Sequence, residues 1–184
     1  SKIDKNIHDN VKKIINGVKN KGDEAIINYT KKYDKIKLTK NKIKLKNNIA
    51  KNKIKVDKNI ISSFKNAIKN ITKFHKQQLP SDILLNNNNV ILQSRWKPID
   101  SVGLYVPGGN AFYPSSLLMN VIPAKIAGVK RIVCVTPPTK GINPYFLYLL
   151  KELNINEVYN IGGAQAIAAL AIGTKSIKPV NKIF

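Results

Sequence analysis

Short apolar runs and helical stretches alternate from residue 101 to the end of the chain. Residues 102–106, 131–136 and 157–161 are dense in Val and Ile and read as strands buried on both faces. Between them, residues 115–127, 144–153 and 164–172 carry apolar positions at helical spacing. Residues 180–184 read as the start of a fourth strand. Strand, helix, strand in this order predicts a parallel sheet with right-handed crossovers. The fold class expected is therefore α/β, with a βαβαβα sheet left incomplete. The first hundred residues read as helical and mixed. Val11, Ile14, Ile15 and Val18 predict a helix over 7–20, closed at Gly22. Asp23 is placed to cap a second helix bearing Ala25, Ile26, Ile27, Tyr29 and Tyr33. Lys alternates with Ile or Leu over 35–46, which predicts a strand with one solvated face. Asp57 opens the clearest helix, with Ile60, Ile61, Phe64, Ala67, Ile68, Ile71 and Phe74 at a 3.6-residue period, bounded by Pro80. That stripe is expected to pack in the core. Residues 86–89, all Asn, predict a loop tip before a strand over 90–96. Pro98 and Asp100 mark a change of texture, so the expected division is residues 1–100 and residues 101–184.

The strand over 102–106 runs into Pro107-Gly108-Gly109, and Pro114-Ser115-Ser116 then opens a helix with a hydroxyl in capping reach. The third strand likewise runs into Gly162-Gly163 and a helix. Both turns lie at the carboxyl edge of the predicted sheet, where parallel sheets hold their ligands. Free backbone N–H groups at a helix start suit a phosphate or carboxylate. Two polar side chains stand out there. Tyr105 ends the first strand, either as a core aromatic or with its hydroxyl and ring aimed at the rim. Gln165 is the lone polar residue of its helical run, either satisfying backbone groups or reaching a ligand over the turn.

Charge changes the picture less than its size implies. The formal net charge is +22, from 32 Lys and Arg against 10 Asp and Glu. Lysine supplies nearly all of it, and it clusters in the first half among Ile and Asn. Nucleic-acid surfaces favour arginine forks and stacking aromatics, so codon bias in an AT-rich genome explains the lysines better. A basic nucleic-acid-binding module and a non-catalytic remnant remain the rival readings. One cysteine, Cys134, sits inside an apolar strand and reads as a buried small hydrophobe. It permits no internal disulfide, and two isolated histidines, His8 and His75, give no metal site. The chain lacks an apolar run long enough to span a membrane and a signal-peptide core, so a cytoplasmic location is expected.

Several motifs resemble one family. They are Gly103-Leu-Tyr-Val-Pro-Gly-Gly109, Tyr113-Pro-Ser-Ser-Leu-Leu-Met-Asn120, Pro123-Ala-Lys-Ile-Ala-Gly-Val129, Val135-Thr-Pro-Pro138 and Val158-Tyr-Asn-Ile-Gly-Gly-Ala-Gln-Ala-Ile-Ala-Ala-Leu-Ala171. With Val18-Lys-Asn-Lys-Gly-Asp23 and Ile71-Thr-Lys-Phe-His75, they make the chain similar to histidinol dehydrogenase over nearly its whole length. The resemblance implies Rossmann-like domains, NAD and Zn2+ as cofactors, L-histidinol as substrate, L-histidine as product through an aldehyde, and a cytoplasmic homodimer. It implies that Tyr105 and Gln165 contact NAD. Family members run on beyond the equivalent of Phe184, where the zinc ligands and the Glu-His acid–base pair lie. An N-terminal fragment without catalytic or metal residues of its own, inactive alone, is therefore expected.

Overall fold

The computed structural model describes residues 5–45, 56–87, 89–108, 113–138 and 142–184. The first part contains α1 (Lys5–Lys21), α2 (Asp23–Tyr29), a π-helical turn (Thr30–Asp34), α3 (Lys40–Ile43) and α4 (Lys58–Lys76). A hairpin of β1 (Ile83–Asn87) and β2 (Val90–Ser94) follows. The second part is β3 (Ser101–Tyr105), α5 (Pro114–Ile126), β4 (Arg131–Val135), α6 (Pro144–Glu152), β5 (Glu157–Tyr159), α7 (Gly163–Ile172) and β6 (Lys182–Ile183).

The last four strands form one parallel sheet in the order β5-β4-β3-β6. The chain steps outward from β3 to β5, then crosses back to pair β6 with the free side of β3. The direction of winding reverses between β3 and β6, which makes their carboxyl ends a topological switch point. The α/β class and the parallel sheet expected from the sequence are both found.

Helices cover both faces of this sheet. Val102, Leu104, Val106 and Cys134 pack with Leu117, Val121, Leu149 and Leu150 of α5 and α6, while Phe64, Ala67, Ile68 and Ile71 of α4 close the edge. Val133, Val135 and Tyr159 pack on the other face with Ile26, Ala166, Ala169 and Leu170, so α2 and α7 share that layer with Val18 of α1. Alternate residues of β4 thus feed two separate cores, as the period of two requires. Cys134 is fully buried, and burial pushes its thiol up to about 12, which keeps it inert at neutral pH.

Some expectations are corrected. Of the strand expected over 35–46, residue 46 lies outside the described residues and residues 35–45 form none: Leu38 and Ile43 are buried around the four-residue α3, and an isolated bridge ties Lys44 to Tyr159. The alternation there reflected lysine abundance more than a pleated face. Asp23 does not cap α2. Gly22 holds the cap position at φ +52°, and the Asp23 carboxylate accepts hydrogen bonds from Ser176 N (3.3 Å) and Ser176 Oγ (2.7 Å). No serine hydroxyl caps α5, whose cap is Tyr113 without a side-chain bond. Asp57 does cap α4, accepting from Asn59 N and Ile60 N. The apolar stripe of α4 is only half covered, with Phe74 61% exposed. Asn86 and Asn87 belong to β1, so the loop tip is narrower than the four asparagines, and residue 88 lies outside the described residues. The hairpin exposes Ile83, Leu84, Leu85, Val90, Ile91 and Leu92 on both its faces.

Two carboxylates lock the edge of the sheet opposite the glycine turns. Arg131 donates Nε to Glu157 Oε2 (2.9 Å) and Nη2 to Glu157 Oε1 (2.7 Å), and its other bonds reach the carbonyls of Lys178 and Pro179. Tyr159 Oη donates to Glu157 Oε1 (2.9 Å). Burial pushes Asp23 and Glu157 up, but their hydrogen bonds and nearby cations more than offset it. Both end below their ordinary values of 3.8 and 4.5. They hold protons less tightly folded than unfolded, so their stabilisation is complete above those values and is lost as the pH falls below them. Asp34, raised by burial, acts in the opposite sense. The measurement is therefore a comparison: thermal melts between about pH 6 and pH 3 should fall more steeply for the wild type than for Asp23→Asn/Glu157→Gln. Parallel profiles would show that these carboxylates carry no linkage.

Candidate functional site at the carboxyl rim of the sheet

The exits of β3, β4 and β5 lie side by side because their strands are neighbours in the sheet. The ladder runs one residue past each strand: Val106 N donates to Val135 O (2.9 Å) and Thr136 N to Tyr159 O (3.1 Å). The chain then turns at Pro107-Gly108, at Pro137-Pro138 and at Gly162-Gly163. Residues 109–112, including Gly109, lie outside the described residues.

Gly163 begins α7 at φ +64°, a conformation that glycine adopts without the Cβ penalty. Its N–H is one of the donors that a helix start leaves without an intrahelical partner. Tyr105 Oη accepts it at 3.2 Å. The rest of the Tyr105 ring is partly buried against the core under α7. Its own backbone N donates to Phe184 O (2.8 Å), which ties it to the end of β6. Tyr105 thus stands at the switch point and spans from β3 to the start of α7. Of its two readings, the structure shows a part of each: ring in the core, hydroxyl at the rim.

Gln165 is 2% exposed. Its side chain folds back on the turn, with Oε1 2.8 Å from where a Gly163 Cβ would stand. Tyr105 and Gln165 therefore meet at Gly163 and do not lie on separate faces of the molecule. The residue that sequence reasoning missed is Pro137. Its ring stands where a Cβ on Gly162 would point, and its Cδ lies 3.2 Å from where a Cβ on Gly108 would stand. The signal was present as a proline directly after a strand, but spacing alone gives no distance between turns. Asn143 was missed as well: its Oδ1 accepts from Tyr145 N (2.8 Å) and caps α6.

Chemically the rim offers the start of a helix, a phenol, a buried amide and tightly packed glycine turns. Among the described residues it brings no acid–base pair together. Among the described residues, no three His, Cys, Asp or Glu side chains come together to hold a metal.

A family model described as histidinol dehydrogenase matches residues 1–184. The histidinol dehydrogenase of Listeria innocua is 46% identical over 176 residues, covering 94% of this chain and 41% of that protein. That of Agrobacterium fabrum is 43% identical over 184 residues, covering 98% of this chain and 43% of that protein. The crystal structure of histidinol dehydrogenase from Elizabethkingia anophelis superposes with a TM-score of 0.91 at 36% identity, over 100% of this chain and 43% of that one. The chain thus spans less than half the length of the relatives it matches. A match running from the first residue to the last, with the same fold, places this chain in the histidinol dehydrogenase family.

Proposed function

We infer that the protein carrying this chain oxidises L-histidinol to L-histidine through the aldehyde, with NAD as hydride acceptor, and that the rim described above is part of its NAD site. One observation carries the assignment to this rim: Tyr105 Oη accepts the Gly163 N–H, so the two candidate residues converge on the start of one helix. The residues fit a dinucleotide. Gly108, Gly162 and Gly163 let the turns pack tightly, their missing side chains directed at Thr136, Pro137 and Gln165, and α7 starts at this rim. Residues 101–184 would supply this cofactor sheet, and residues 1–100 the first part of a flanking domain.

When bound, NAD would supply hydride-acceptor chemistry, one NAD for the alcohol and a second for the aldehyde after it has taken up water. The part played by this chain is positioning. The positive end of α7 favours an anionic group, and the Tyr105 ring fixes the wall beside it. Gln165 holds the turn from beneath. For zinc the described residues show no fit, so no step is drawn through it. A dimer agrees with the hairpin, whose apolar faces are open on both sides. A cytoplasmic location accords with a biosynthetic enzyme of this family. Among the described residues, no helix is long and apolar enough to cross a membrane.

The test is NADH formation from L-histidinol and NAD by the protein as its gene encodes it. Tyr105→Phe keeps the ring and removes the acceptor. That bond lies within the protein, so its loss, about 0.5–1.5 kcal/mol, loosens the start of α7, and the KM for NAD should rise while that for histidinol holds. An unchanged KM for NAD in folded protein would remove Tyr105 from the site. Absence of NADH from the wild type would overturn the activity itself.

A further inference from the structure

We propose that Pro137 is a positioning residue: its ring is the wedge that sets the spacing of the glycine turns on either side of it, and with it the width of the cofactor rim. This rests on the NAD reading above and adds to it a residue that touches no reacting atom. A Cβ built on Gly162 would stand 2.6 Å from Pro137 Cγ, 2.7 Å from its Cβ and 2.9 Å from its Cα. A Cβ built on Gly108 would stand 3.2 Å from Pro137 Cδ and 3.2 Å from its carbonyl oxygen. The ring therefore fills the space a side chain on Gly162 would take, and at Gly108 its Cδ shares that role with Thr136 Oγ1, 3.1 Å from the same Cβ. Gly162 sits at φ −131° and ψ −174°, extended backbone open to any residue. Its lack of a side chain answers to contact and not to torsion. Gly163, at φ +64°, is the reverse case.

The wedge is rigid for two reasons. The pyrrolidine ring fixes its own φ near −65° and biases Thr136 before it toward extended backbone. The Thr136 N–H is in turn held by Tyr159 O, so the approach to the ring is pinned to β5. Because β4 lies between β3 and β5, a single ring at its exit stands beside both neighbouring turns. Tyr105 then closes the same rim from the β3 side through its bond to Gly163.

The experiment is a double-mutant cycle on the protein as its gene encodes it, with Gly162→Ala, Pro137→Ala and the pair. Thermal unfolding and the Kd for NAD are read for each. Gly162→Ala is expected to melt lower and to raise the Kd for NAD by about tenfold or more, because a misplaced site loses affinity steeply with distance. In the pair, the alanine methyl loses its closest contact, Cγ at 2.6 Å, while Cα and Cβ of residue 137 remain, so stability and NAD affinity recover in part toward Pro137→Ala alone. Additive losses in both readouts would overturn the wedge and leave the NAD reading standing. Recovery of stability with a Kd for NAD that never changed would instead overturn the cofactor reading, and the positioning role with it. Should Gly162→Ala fail to fold, Gly108→Ala stands in: Pro137→Ala relieves only its Cδ contact, at 3.2 Å, so partial coupling in both readouts supports the wedge, and additivity overturns it.

Discussion

Replacing Leu170 by alanine should cost about 2–5 kcal/mol of folding stability, a large share of what holds a domain together. Leu170 is fully buried in α7, between the helix and the sheet. Its Cδ1 and Cδ2 lie 2.8 and 3.2 Å from where a Cβ on Gly103 would stand. In effect the leucine supplies the side chain that β3 lacks at its middle residue. Its carbonyl also accepts the Val180 N–H (2.9 Å), which ties α7 to the approach to β6. Truncation leaves a cavity under the parallel sheet that packed neighbours refill only in part. A companion variant sharpens the test. Gly103→Ala alone overpacks against Leu170 and Val180 Cγ2, but in Leu170→Ala the new methyl enters the cavity. Urea titration of the two singles and the pair should give a double variant more stable than the sum predicts. Strict additivity would mean that the two positions do not share this space.

Gly163→Ala is the second large effect, and it acts on the site directly. An L-residue held at φ +64° costs about 1–2 kcal/mol before any contact is counted. The new methyl would also press on Gln165 Oε1 at 2.8 Å, and Gln165 is too buried to swing into solvent. Relief requires that the turn move. The Gly163 N–H then leaves Tyr105 Oη, and the start of α7 shifts away from the rim. The expected result is a lower melting temperature together with a KM for NAD raised about tenfold or more. Gly163→Ala/Gln165→Ala removes the collision but keeps the torsion, so it should regain part of the stability. A variant that melts and binds NAD as the wild type does would show that this turn is neither strained nor at the cofactor.

These effects fall on residues whose partners are far away in sequence, and that marks the limit of reading the chain alone. Local pattern was enough for β3, β4 and β5, because strands buried on both faces need unbroken runs such as residues 132–135, and nothing else explains them. It was enough for α4, whose cap, stripe and bounding proline lie within one stretch. The two glycine turns were legible as exits of parallel strands. The same reasoning failed over residues 35–45. Lysine is abundant there, so alternation with Ile arises without a pleated face, and burial of Leu38 and Ile43 against the second core decided the outcome.

Over residues 101–184 the order of strands and helices and the class of sheet were written in the chain itself, since each depends on periodicity and on turn chemistry within about ten residues. Tertiary structure alone decided three things. It placed β6 beside β3 and so put the switch point at Tyr105. It turned Asp23 from a helix cap into an anchor for Ser176, 153 residues away. It set Pro137 between Gly108 and Gly162. All three are distances between segments, and such distances follow from how whole layers pack, which no local run of side chains encodes.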